Sequence, residues 1–121
     1  MSLDVYLTNV VLNKCPHCGE ELSTTSNEVF NANITHNLGL MAEKAGIYKH
    51  LWRPEEGGIS KAATLIAPLK KAITDMKARP EYYEQFNADN GWGTYKDFVP
   101  WIEEYLRACI EYPEAIISVS R

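Results

Sequence analysis

Thr94 and Asp97, followed by Tyr95, Phe98, Val99, Ile102, Tyr105, Leu106 and Cys109, define one helix more firmly than any other stretch of this chain. The hydroxyl and the carboxylate three residues later have capping-box spacing. The apolar residues recur at i, i+3, i+4 and i+7, the period that gives a helix one buried face. Pro100 is expected to bend its first turns and Pro113 to close it. Beyond it, Ala115, Ile116, Ile117 and Val119 lie between Glu114 and Ser120, a strand that needs a sheet partner. The partner has to come from the start of the chain. There Leu3, Val5 and Leu7 alternate with polar residues ahead of Val10, Val11 and Leu12, and a returning strand from Glu28 to Ile34 makes a hairpin.

Between hairpin and last strand the pattern is helical. Thr35 is placed to cap a helix running to Ala45, with Gly46 in the glycine position beyond its end and Leu38, Met41, Ala42 and Ala45 facing the core. Tyr48, Leu51 and Trp52 read as buried, and Pro54 ends that stretch. Ser60 is placed to cap a second helix with the stripe Ala62, Leu65, Ile66, Leu69, Ala72, Ile73 and Met76. Because the stripe stays in phase through Pro68, one kinked helix is expected. Pro80 begins a short turn with Tyr82, Tyr83 and Phe86, and residues 87–93 form a turn-rich loop. These elements predict an α+β fold: a small, mostly antiparallel sheet of N-terminal hairpin plus C-terminal strand, covered by three to four helices. At 121 residues, positions 1–121 read as a single domain able to bury its own core.

The charge balance narrows the partners. Sixteen acidic residues against twelve scattered basic ones give a net charge of −4, which disfavours a protein that neutralises nucleic-acid phosphates. The sequence has no run of eighteen apolar residues and no basic-then-apolar leader, so no membrane association and a reducing cytoplasm are expected.

Three cysteines without an export signal point to metal or redox chemistry rather than disulfides. Cys15-Pro16-His17-Cys18-Gly19 is the most specific motif: two thiolates two residues apart can grip one tetrahedral ion, and residues 13–22 read as a metal knuckle at a hairpin tip. The expected occupant is structural zinc, with Cys15, Cys18 and His36 as ligands. A second subunit bringing its own pair is the alternative, so a homo-oligomer is open. Redox use ranks lower, since the run 23–26 of Ser and Thr does not continue as a helix. Cys109 lies on an apolar helical stripe and reads as a buried, inert thiol.

Candidate ligand residues fall in three separate segments. Asn33, Thr35, His36 and Asn37 crowd the start of the first helix, where free amides favour an anionic group. His36 and Glu43 share the helix face turned from the core. Arg53 follows Trp52 and can grip a carboxylate or phosphate. Trp92, between Gly91 and Gly93 and followed by Tyr95, is either a stacking platform or a core plug, with burial the commoner state of tryptophan. If His36, Arg53 and Trp92 converge, the site takes a small anionic, nucleotide-like ligand or a protein. An enzyme with His36 as general base, oriented by Glu43 or Asp89, and Arg53 stabilising negative charge is the alternative.

The runs Asn33-Ile34-Thr35-His36-Asn37, Leu51-Trp52-Arg53-Pro54-Glu55-Glu56, Gly91-Trp92-Gly93-Thr94-Tyr95 and Val119-Ser120-Arg121 resemble a group of small proteins encoded mainly in tailed bacteriophages and prophages. The likeness spans about residue 30 to the end. It brings no activity and no residue roles. It implies a phage accessory protein acting in a bacterial cytoplasm, with antagonism of host defence among the roles open to it.

Overall fold

The computed structural model describes residues 2–14, 19 and 21–121; the turn carrying Cys15 and Cys18 lies outside them. Strand β1 (Ser2–Lys14) is flanked by β2 (Glu21–Thr35) on one side and β3 (Ile116–Ser120) on the other, both antiparallel to it. The α+β expectation therefore holds, with the C-terminal strand paired to the N-terminal hairpin.

Strand alternation decides which face is buried. Phe30, Leu7 and Ile117 stand in one cross-strand row and Ala32, Val5 and Val119 in the next. Asp4, Tyr6, Asn31 and Asn33 point to the other face, as a period of two requires. The apolar rows back onto α3 (Ala63–Ala78) and α5 (Tyr95–Glu111), which bury Leu65, Leu69, Ala72, Ile73 and Met76 and Phe98, Val99, Ile102, Tyr105, Ala108 and Cys109. Shorter α1 (Gly39–Lys44), α2 (Tyr48–Trp52) and α4 (Pro80–Glu84), with 3-10 turns over His36–Leu38 and Pro54–Gly57, complete the cover. Among the described residues this is one more helix than the upper expectation, because Tyr48–Trp52 and the segment Pro80–Glu84, read as a turn, each form a short helix. Among the described residues, no helix is long and apolar enough to cross a membrane.

The local signals acted largely as written. Thr94 Oγ1 accepts the Asp97 amide at 3.4 Å, and α5 runs on through Pro100 as α3 does through Pro68. Gly46 takes φ +80°, as a left-handed residue beyond a helix end requires. Ser60 differs: its side chain caps nothing, and its carbonyl instead accepts the Ile117 amide at 2.8 Å, while Lys61 bridges to Ile116. That segment seals the outer edge of β3 before α3 begins.

Cys109 is buried, and desolvation pushes its thiol up to about 12, which keeps it protonated and unreactive. The same stripe shields the Tyr105 phenol, whose ionisation burial drives far above the ordinary range.

Candidate functional site

The end of β2 and the loop before α5 build one cleft between them. The Thr35 hydroxyl accepts the Asn37 amide at 3.3 Å, closing the 3-10 turn that turns His36 and Asn37 towards the surface. Asn37 Nδ2 then donates to the Trp92 carbonyl at 2.8 Å. The loop is tied again by the Trp92 amide donating to Asn90 Oδ1 (3.0 Å), the Tyr95 amide to Asn87 Oδ1 (2.7 Å) and the Ala88 amide to the Gly93 carbonyl (2.9 Å). Gly93, at φ +119°, lets the loop press so close that a Cβ there would lie 3.1 Å from Asn37 Cβ and 3.2 Å from Thr35 Cγ2. The result is an open cleft of about 860 Å³ lined by Asn33, Thr35, His36, Asn37, Trp92 and Asp97, among others.

His36 is also a wall of an adjoining recess of about 590 Å³, with Leu40, Glu43, Tyr48, Arg53 and Arg121. The Trp52 indole N–H donates to His36 Nδ1 at 2.8 Å, and Tyr48 stacks on Trp52 with centroids 5.4 Å apart. Since an indole nitrogen only donates, Nδ1 holds the lone pair and Nε2 carries the proton of neutral His36. Arg53 pairs with Glu56 at 2.9 Å; the Tyr48 hydroxyl first, and then Glu56, raise its guanidinium further above its ordinary value. Arg121 donates to the Trp52 carbonyl at 2.7 Å and to Glu55, whose carboxyl is held low by its own backbone amide and then by Arg121.

His36, Arg53 and Trp92 thus reach one face as two recesses that share His36, with Arg53 in the second. Trp92 is 72% exposed, which overturns the burial expected of it; its backbone is fixed by Asn37 and Asn90 while its ring faces outward. Tyr95 does not belong to the cleft. Its hydroxyl donates to the Met76 carbonyl at 2.9 Å and its ring packs on the core, since it lies on the buried stripe of α5. Asn33 lines the cleft but its amide is committed, donating to Ser2 Oγ at 2.8 Å and Asp4 Oδ1 at 2.7 Å, while its carbonyl accepts the Trp101 indole.

Two chemical expectations change. Among the described residues no lysine or arginine lines the first cleft, and the Asp97 carboxylate does, which makes it a poor match for an anion. The orientation expected of His36 also differs: its Nδ1 accepts the Trp52 indole N–H, and among the described residues neither Glu43 nor Asp89 hydrogen-bonds to its ring.

The metal assignment divides. Cys15 and Cys18 lie outside the described residues. Lys14 pairs with Glu21 at one end and Ser2 with Thr35 at the other, an extended run of about 40 Å at about 3.3 Å a residue. His36 follows the Thr35 end of that run, opposite Lys14 and Glu21. Among the described residues, no three His, Cys, Asp or Glu side chains cluster closely enough to hold an ion.

Leu40, Asn90, Asp97 and Arg121 join the face without having been named as site residues. Leu40 and Arg121 carry no local signal, because a single exposed leucine and a single arginine are ordinary surface residues until packing places them. Comparison with protein-family models, with curated proteins and with solved structures finds no match.

Proposed function

We propose that this chain is a non-enzymatic accessory protein that binds a partner protein through the face shared by Trp92, His36 and Leu40. The observation that carries the reading is Trp92: a 72% exposed indole on a loop whose backbone is clamped at both the amide and the carbonyl. Exposing so large an apolar ring has a solvation cost, and fixing its backbone in advance lowers the entropy lost on docking. Tryptophan is over-represented among residues that dominate protein interfaces. Leu40, 51% exposed, adds an apolar contact on the other side of His36. The cleft between them offers His36 Nε2–H as donor together with asparagine amides, a mixture that suits peptide groups better than phosphate.

The likeness to phage accessory proteins supports a bacterial host protein as the partner, a cytoplasmic setting, and antagonism of host defence as the biological role. The test is a photo-crosslinking amino acid at position 92 in the full chain, expressed in the bacterial host. One discrete adduct, identified by mass spectrometry, then reconstituted from the purified partner and lost when Leu40 is changed to Asp, supports the reading. No adduct, combined with a thermal shift on adding a nucleotide, would instead make this a small-ligand protein using Arg53.

The reading also takes Cys15 and Cys18 to hold a structural zinc ion, supported by their spacing alone. Elemental analysis of the purified protein tests it, and a preparation without bound zinc removes it.

A further inference from the structure

Two adjacent lysines stand together on α3, away from the Trp92 face. Arg53, Lys61, Lys77, Arg79 and Arg121 are each held by a carboxylate, whereas among the described residues Lys70 and Lys71 form no ion pair. Both line a hollow of about 710 Å³ where the end of α1 meets the outer face of α3, with Ala45, Thr74, Asp75 and Ala78. Asp75 contributes little free negative charge, because Arg79 grips both its oxygens, at 2.7 and 3.2 Å, and the Tyr83 hydroxyl donates to one of them. The Thr74 hydroxyl is spent on the Lys70 carbonyl at 2.9 Å, which leaves its methyl group as the surface it can offer. Lys44, next to Ala45, adds a further positive charge, its Nζ 6.0 Å from the Phe86 ring centroid.

We propose that this hollow binds a small organic anion with an apolar body, an aliphatic or aromatic carboxylate being the simplest case. Small side chains, Ala45, Thr74 and Ala78, line it together with two lysines, each a hydrocarbon stem ending in an ammonium group. An apolar wall with a few polar groups to orient the ligand is how small-molecule sites are composed, and lysine stems cover apolar surface while their charges stay in water. The two ammonium ions are uncommitted, unlike Arg53 and Arg121, so binding them requires no existing ion pair to break. An inorganic anion gains the charge but not the wall. The site is separate from the Trp92 face and does not depend on what binds there.

The experiment is an NMR titration of the isotopically labelled full chain with decanoate and, separately, with inorganic phosphate. Decanoate is expected to shift the amides of Ala45, Lys71, Thr74 and Ala78 saturably, and phosphate to bind far more weakly. The double variant Lys70→Gln, Lys71→Gln keeps most of the stems and removes the charge; it is expected to weaken decanoate by about tenfold or more, the effect of losing a charge-assisted contact. Ala78→Phe fills the hollow at an exposed position and is expected to abolish the shifts. The proposal is overturned if decanoate shifts other residues, if the double variant binds as the parent does, or if phosphate saturates the same amides at the same concentration.

Discussion

The two connections on either side of α4 solve opposite problems with similar parts. At the α3–α4 junction Asp75, Arg79 and Tyr83 form a polar network that pulls an aromatic inward: the Tyr83 ring is fully buried, its hydroxyl reaches Asp75, and the Arg79 guanidinium lies 4.6 Å from the Tyr82 ring centroid and 5.6 Å from that of Tyr83. In the loop from α4 to α5, Asn87, Asn90 and Asn37 bind backbone rather than ring, and Trp92 is left outside. What separates them is the target of the polar groups. Networks that engage a side chain's own polar tip can bury it, and networks that engage only its peptide groups can present it.

The largest expected effect lies on the buried side. Tyr83→Ala should lower the unfolding free energy by about 3–5 kcal/mol, the range for truncating a buried aromatic, measured by urea denaturation; a loss under about 1 kcal/mol would mean the junction is not a core element. On the presented side the sensitive position is the glycine, not the tryptophan. Gly93→Ala combines positive φ with contacts near 3.1 Å, and a cost of about 1–3 kcal/mol is expected, accompanied by shifted Asn37 and His36 resonances. Unchanged stability and spectra would show that the loop does not need its close approach.

A smaller effect should fade in acid. Arg79 first, and the Tyr83 hydroxyl second, hold the Asp75 carboxyl below its ordinary 3.8. The unfolded chain therefore takes up the proton first. The contribution of Asp75 is present above about pH 4 and fades as pH falls through the lower folded-state value. In Asp75→Asn that contribution is absent at every pH, so its stability should fall less steeply than the parent's in this window; parallel curves from urea melts at stepped pH would break the assignment. The smallest effect on stability belongs to Trp92→Ala, expected within about 0.5 kcal/mol of the parent as for a surface change, while partner binding is lost. If the melt moves by several degrees, Trp92 belongs to the packed side of the comparison after all.

Much of the fold was legible because its signals are local. The α5 stripe, the Thr94 cap, Gly46 and the alternation of Leu3, Val5 and Leu7 each depend on neighbours a few residues away. The start of β2 was not: the Ser and Thr run pairs with residues 10–13 of β1, and such pairing uses backbone groups that leave no apolar pattern. Ser60 misled because a hydroxyl before a helical stripe looks like a cap whether or not the chain is busy sealing a sheet edge. Of the site, Thr35, His36, Asn37, Arg53 and Trp92 were found as polar or aromatic residues in unusual company, and Tyr95 was misassigned because proximity to Trp92 in sequence outweighed its own place on the α5 stripe.

The sequence by itself determined which residues face a core, because period and burial are two descriptions of one hydrophobic pattern. It also determined the acidic balance that argues against binding nucleic-acid phosphates. Only the tertiary structure decided that Trp92 stands outside, that His36 Nδ1 accepts the Trp52 indole, and that Asn37 reaches across to the Trp92 carbonyl. Each of these depends on groups brought together from distant parts of the chain, and no local pattern records where a fold will close.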